Sequence, residues 1–404
     1  VPEFILFENG AGGLSDPSPS RDEVIMKPGH YQYVPIERVI WGHPAATAVE
    51  REATRLKAAR VMIVASNTLA RETDAIASIA QALGDRYVGL FDRCGAHSPL
   101  EGILACAEAA RAIAPDLIVT VGGGSPIDTV KIVLLCLTHD IDTREALLAI
   151  AGKPTSTPAA VRQIVVPTTL SAGEYANAAG GTDVQRQTKD MYWGPDLCAR
   201  SVILDPAICR HTPAWLWLST AIRSVDHAVE SYCSTAPNVL VDAGALHALT
   251  LFASSLRRTL ADPDDLDARQ QSQMAVWLAA SSLGRVPMGA SHGIGYVLGA
   301  LGGVPHGYTS CVMLPAVMRW NESATGERQR AIAAALGRPD DSAAHAVADL
   351  IRDLGLPRAL GDVGVSEDQL PLIAEKALLN PVVRGNPRPI RDVSDVMEIL
   401  RLAL

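Results

Sequence analysis

The sequence predicts two structural units, an α/β unit with a parallel sheet followed by an all-helical unit. Three observations carry this. From about residue 36 to 205, short β-branched runs alternate with alanine-rich amphipathic stretches. Strands separated by helical segments of that length form βαβ units, whose strands run parallel. After Asp205-Pro206 the strand signal fades and leucine- and alanine-rich helical patterns take over. The chain has 404 residues, more than one compact core usually serves. The expected boundaries are 1–25 for a leader or loose arm, 26–205 for the α/β unit and 206–404 for the helical unit.

The elements follow in order. VMIVA at 61–65 is a strand, followed by a helix over 71–83, a strand over 87–92 and a helix over 100–113. LIVTV at 117–121 is a buried strand that runs into glycines and a helix to about 137, and IVVP at 164–167 ends another strand. In the second half, the helical period covers 213–234, 239–261, 266–283, 290–301, 308–322, 328–337, 341–354 and 367–377. Residues 1–25 show no period; Gly-Ala-Gly-Gly and Ser-Asp-Pro-Ser-Pro-Ser read as linker, Met26 suits a natural start, and no signal-peptide pattern is seen.

Composition narrows the function classes. Apolar residues make up 48% and charged residues 20%, a globular profile. A net charge of −9 argues against a nucleic-acid partner, which needs a clustered basic surface. No apolar run is expected to span a bilayer; the best candidate, 117–137, is broken by three glycines, Asp128 and Lys131. The seven cysteines lack CxxC spacing and read as reduced thiols of a cytoplasmic protein.

Chemistry is suggested at three places. Gly122-Gly123-Gly124-Ser125 follows a buried strand and opens a helix, which lets backbone N–H groups approach a phosphate beside a helix N-terminus. It is neither GxGxxG nor a P-loop, and a tight βα connection would look the same. Thr168 and Thr169 follow the strand at 164–167, where parallel sheets bind ligands. Three of the ten histidines, His227, His292 and His306, lie in glycine-rich or helical polar contexts. They could hold a divalent metal or position and protonate a substrate oxygen, or be unrelated histidines.

Together, GGGSPIDTVK at 122–131, VPTT at 166–169, DHAVESY at 226–232, SHGIGYVLGALGGVPHG at 291–307 and LPAVMRWN at 314–321 resemble the iron-containing alcohol dehydrogenase superfamily, in the family's order and with its 14-residue His292–His306 interval. The resemblance implies a Rossmann-like N-terminal domain, a helical C-terminal domain, NAD(P)H between them and a homodimer. It implies cofactor contacts from Ser66, Gly122, Gly123, Gly124, Ser125, Asp128, Thr168 and Thr169. It also gathers His227, His292 and His306 into one site.

Two departures stand out. The dehydrogenases carry a metal-binding aspartate one turn before the first histidine; here it is Arg223, which shares a helix face with His227. A guanidinium beside a divalent cation is strongly unfavourable, and Asp226, rotated by about 100° from His227, is a poor replacement ligand. Tyr296 stands where a further histidine is usual. NPRP at 386–389, the HSP stretch at 97–99 and the short spacing to Glu174 resemble the metal-independent maleylacetate reductases, although Asp128 is the dehydrogenase choice. The expectation is a metal-free reductase of a small, carboxylate-bearing carbonyl or enone substrate, with Arg223, His227, His292, Tyr296 and His306 at the reacting centre. If a metal binds, His227, His292 and His306 would hold it. A metal-dependent alcohol dehydrogenase and a dehydroquinate synthase-like lyase are the alternatives. Ser66 replaces the aspartate common in NAD-preferring relatives, so NADPH is allowed, and Arg71 could assist.

Overall fold

The computed structural model describes residues 30–186 and 188–404. The sheet comprises β1 (Arg38–Trp41), β2 (Val61–Ala65), β3 (Tyr87–Phe91), β4 (Leu117–Gly122), β5 (Arg162–Pro167) and, after a hairpin of β6 (Ala178–Asp183) and β7 (Thr188–Trp193), β8 (Ser201–Leu204). Its order is β1-β8-β5-β4-β2-β3 and every pairing is parallel. β2 and β4 are buried along their whole length, which explains their unbroken apolar runs. Helices α1 (Ala45–Arg55), α2 (Asn67–Glu72), α3 (Ala75–Leu83), α4 (Leu100–Ile113), α5 (Gly124–Thr138) and α6 (Arg144–Ile150) complete this half.

The second half is helical: α7 (Ala214–Tyr232), α8 (Val239–Ala261), α9 (Leu266–Ala279), α10 (Ala290–Gly302), α11 (His306–Ala335), α12 (Ala343–Asp353), α13 (Leu370–Leu379) and α14 (Val393–Arg401). One apolar cluster runs from Val61, Val119 and Val202 in the sheet through Leu170 to Trp217, Ile222 and Leu249 in α7 and α8. The two halves therefore share a core.

Several expectations need correction. The helix at 71–83 is two helices: Thr73 is extended, and its hydroxyl donates to Leu69 O at 2.7 Å and accepts from Ala75 N at 3.2 Å, ending one helix and starting the next. The segments 308–322 and 328–337 are one helix that passes through Pro315. The polar stretch between them stays helical because its side chains are satisfied within it: Thr325 Oγ1 donates to Asn321 O at 3.0 Å and Gln329 Nε2 to Met318 O at 2.8 Å. The β6–β7 hairpin was not expected. α8 is, by length and composition, apolar enough to cross a membrane, contrary to the sequence reading. Its Val241, Ala245, Leu249, Phe252 and Leu256 face is buried in the protein core. The expected leader at 1–25 lies outside the described residues.

Beneath the glycine turn, the Lys131 ammonium is fully buried and donates to Gly173 O and Ala178 O (2.8 Å), with Asp128 Oδ1 at 3.4 Å. Asp128 Oδ2 also accepts from Gly180 N at 3.2 Å. These bonds staple α5 to the hairpin. Nearby, Glu174 is buried, its Oε2 has no partner among the described residues, and burial pushes its carboxyl up to about 7 despite Lys131. An acid raised in the folded state contributes stability below its unfolded value of 4.5 and loses it as pH rises through about 7. Wild type should therefore lose about 3 kcal/mol between pH 4.5 and 8 that Glu174→Gln retains. Urea denaturation of both proteins across that range checks this; parallel pH dependences would contradict it.

Candidate functional site

The glycine turn and the threonine turn are neighbours because β4 and β5 are neighbours, with Gly122 opposite Pro167. Thr168 N donates to Gly122 O at 3.0 Å, and Ser66 N to Val121 O at 3.1 Å, so three strand ends meet at one place. Gly122 has φ +155°, and a β-carbon there would lie 2.9 Å from Pro126. At Gly123 it would lie 2.7 Å from Thr169 Cγ2 and at Gly124 3.3 Å from Ser171 Oγ. The turn is a close-packed cradle that any side chain would fill. Ser125 Oγ accepts from His97 N at 3.0 Å, and Ser98 Oγ donates to Ser125 O at 3.0 Å. Asp128, expected at the cofactor, contacts Lys131 Nζ at 3.4 Å and accepts from Gly180 N at 3.2 Å.

The histidines come from three helices of the helical half. α7 carries Arg223, Asp226, His227 and Glu230; α10 carries His292 and Tyr296; His306 opens α11. His227 stacks on His292, with ring centroids 4.9 Å apart and planes 29° apart. The Tyr296 ring meets His292 edge-on at 6.4 Å and His306 edge-on at 6.2 Å, and is 37% exposed. Arg223, only 7% exposed, sits with Cζ 5.5 Å from the Tyr296 ring centroid. Its Nη1 donates to Ser310 Oγ at 3.1 Å and lies 3.8 Å from Asp226 Oδ2.

Asp226 does not point into empty space. Its Oδ2 accepts from Ser291 Oγ at 2.7 Å and Ser310 Oγ at 2.6 Å, and its Oδ1 lies 3.5 Å from His292 Nδ1. Glu230 accepts from Gly289 N, Ser291 N and His292 N, and its Oε2 is 2.7 Å from His292 Nδ1. Both carboxylates thus hold one edge of the His292 ring, and Nε2 is buried without a partner among the described residues. Asp226, Glu230 and His292 each offer a ligand atom within 4.8 Å of the others. His227, His292 and His306, the set expected to hold any metal, do not form such a group among the described residues.

Charge separates the three imidazoles. Burial, then the charges of His292 and Arg223, push His227 well below the ordinary histidine range. Burial, then Lys189 and Arg223, do the same to His306. Burial and Arg223 also oppose protonation of His292, but Asp226 and Glu230 outweigh them and raise it.

The sequence reading missed two site residues. Lys189, on β7, has Nζ 3.0 Å from His306 Nε2. It lies across Gly180, where a β-carbon would come within 2.1 Å of Lys189 Cε. Burial lowers its pKa, with Asp128 opposing and Arg223 adding to the effect. His97 approaches His306 edge-on, with ring centroids 6.0 Å apart. His97 was visible in the HSP stretch; Lys189 sits in a hairpin whose polar, glycine-containing sequence gave no strand signal. The NPRP segment supports the site from behind: Asn386 Oδ1 accepts from Ala290 N at 3.1 Å and from Asn321 Nδ2 at 3.0 Å.

Comparison with known proteins agrees with this architecture. Residues 36–206 match the family described as iron-containing alcohol dehydrogenase. Residues 218–404 match the C-terminal part of the Fe-containing alcohol dehydrogenase family. The chain is 33% identical over 408 residues to dehydrogenase FUM7 of Gibberella moniliformis, covering 90% of this chain and 95% of the relative. It is 34% identical over 298 residues to 1,3-propanediol dehydrogenase of Citrobacter freundii, covering 71% and 76% respectively. The crystal structure of maleylacetate reductase from Agrobacterium tumefaciens superposes with a TM-score of 0.81 at 27% identity, covering 94% of this chain and 99% of that one. The chain belongs to the iron-containing alcohol dehydrogenase family and is an oxidoreductase.

Proposed function

We propose that the chain is an NAD(P)H-dependent reductase of a small, polar carbonyl or enone compound bearing a carboxylate, and that it works without iron. The observation that carries this is Arg223: a buried guanidinium stands among the histidines, with Nε and Nη2 free of hydrogen bonds to described residues. Such a group neutralises a carboxylate or a developing oxyanion. The likeness to maleylacetate reductases supports the same class.

The donor set fits a divalent metal poorly. A cation on the histidines would stand beside Arg223, and His306 Nε2 already meets the Lys189 ammonium. In the group formed by Asp226, Glu230 and His292, the Glu230 carboxylate is committed to backbone N–H groups and the Asp226 Oδ2 to two serines. The same group is nevertheless the observation that favours the second reading, a metal-dependent dehydrogenase.

For the cofactor, the cradle at Gly122–Gly124 and the helix start behind it suit a diphosphate. When bound, a reduced nicotinamide supplies hydride. The residues do the rest. Arg223 holds the negative oxygen. His292, whose protonated form its two carboxylates favour, donates a proton from Nε2, directly or through Tyr296. His227 and His306 stay neutral, and so add no repulsion to Arg223. A ketone thereby gains one hydride and one proton and becomes an alcohol.

Arg223→Ala should lower kcat/KM for a carboxylate-bearing ketone by a factor of about 10²–10³, with nucleotide affinity unchanged. Steady-state kinetics after metal analysis check this. Wild-type activity in the mutant, or stoichiometric metal on the purified protein with activity lost on chelation, would overturn the metal-free mechanism. Gly123→Val should weaken ADP binding at least about tenfold by calorimetry, with the circular dichroism of the wild type retained. Unchanged affinity would remove the turn from the site.

A further inference from the structure

The ribose end of the cleft carries one charged pair that the proposed chemistry does not use. β2 lies between β4 and β3, with Ala65 opposite Val121 and Val64 opposite Phe91. The carboxyl end of β2 is therefore flanked by the glycine turn on one side and by Asp92 on the other. In open parallel sheets of this kind, the strand beside the phosphate-binding turn ends at the adenosine ribose. An acid there accepts from the ribose 2′-hydroxyl, and an arginine nearby accommodates a 2′-phosphate. Here the residue after the strand is Ser66, whose side chain makes no cap hydrogen bond to α2.

Arg71, in the last turn of α2, reaches back to this place. Its side chain is 60% exposed, and Nε donates to Asp92 Oδ2 at 2.9 Å. Asn67 Nδ2 reaches Asp92 O at 3.5 Å, so the start and the end of α2 are both fixed to the end of β3. The ion pair has two effects. It neutralises Asp92, so no free carboxylate remains to favour a ribose hydroxyl or repel a phosphate. It also uses only the Nε edge of the guanidinium. Nη1 and Nη2 have no hydrogen-bond partner among the described residues, which leaves their fork free for a phosphate.

We infer that Arg71, oriented by Asp92, binds the 2′-phosphate of an adenine dinucleotide, so that the chain prefers the 2′-phosphorylated cofactor. This rests on the dinucleotide reading of the glycine turn. The Ser66 hydroxyl adds a second donor at the same position.

The test uses two probes that differ only at the 2′ position, ADP-ribose and 2′-phospho-ADP-ribose, titrated calorimetrically into the full-length protein. Wild type should bind the phosphorylated probe at least about tenfold more tightly. Arg71→Ala, at an exposed position, should abolish that preference and leave ADP-ribose affinity unchanged, while Arg71→Lys retains part of it. Equal binding of the two probes by wild type, or a preference that survives in Arg71→Ala, overturns the inference while leaving the diphosphate site intact. Failure of both probes to bind overturns the dinucleotide reading and this inference with it.

Discussion

The first turn of α10 is buried, and its free N–H groups must find acceptors inside the protein. Glu230 on α7 provides them, taking Gly289, Ser291 and His292 N–H groups with one carboxylate, and the same carboxylate holds His292 Nδ1. A negative charge at a helix N-terminus is favourable by up to about 2 kcal/mol in partly buried geometry. Removing it from a buried pair costs more, about 3–5 kcal/mol. Gly289 is required here, since a β-carbon would lie 2.9 Å from both Glu230 Oε1 and Asn386 Oδ1. The orientation of His292 and the α7–α10 junction follow from this one contact, and Asn386 meets the same helix start through Ala290 N.

Much of the scaffold was legible because its signals are local. β2 is an unbroken apolar run, β4 is one that ends in glycines, and α4 runs from Leu100 to Ile113 as read, between Pro99 and Ala114-Pro115. What was not legible depends on partners distant in sequence. β6 and β7 hold together through each other and through Lys131 and Asp128, not through an apolar alternation. α11 continues past residue 322 because its polar side chains bond within the helix. The site shows the same division. The three histidines and Arg223 stand in motifs, and the phase of α7 puts Arg223 and His227 on one helix face. Helix phase alone could not reveal that Asp226, turned away from His227, would meet His292, Ser291 and Ser310 arriving from α10 and α11.

The cleft concentrates opposite charges without leaving them bare. Arg223 is adjacent to Asp226, His292 to Asp226 and Glu230, and Lys189 to the neutral His306. Each cation has a partner that fixes its position, and a low local dielectric makes such charges more effective than in water.

The staple between α5 and the hairpin has a mechanical consequence. Lys131 and Asp128 lie on the helix that starts at the glycine turn, and they grip the hairpin whose second strand carries Lys189 to His306. The two ends of the cleft are therefore parts of one bracket, with a span set by the length of α5's first turns and the width of a two-stranded ribbon. The glycine turn and Lys189 are thereby held at a spacing set by hydrogen bonds that lie away from both.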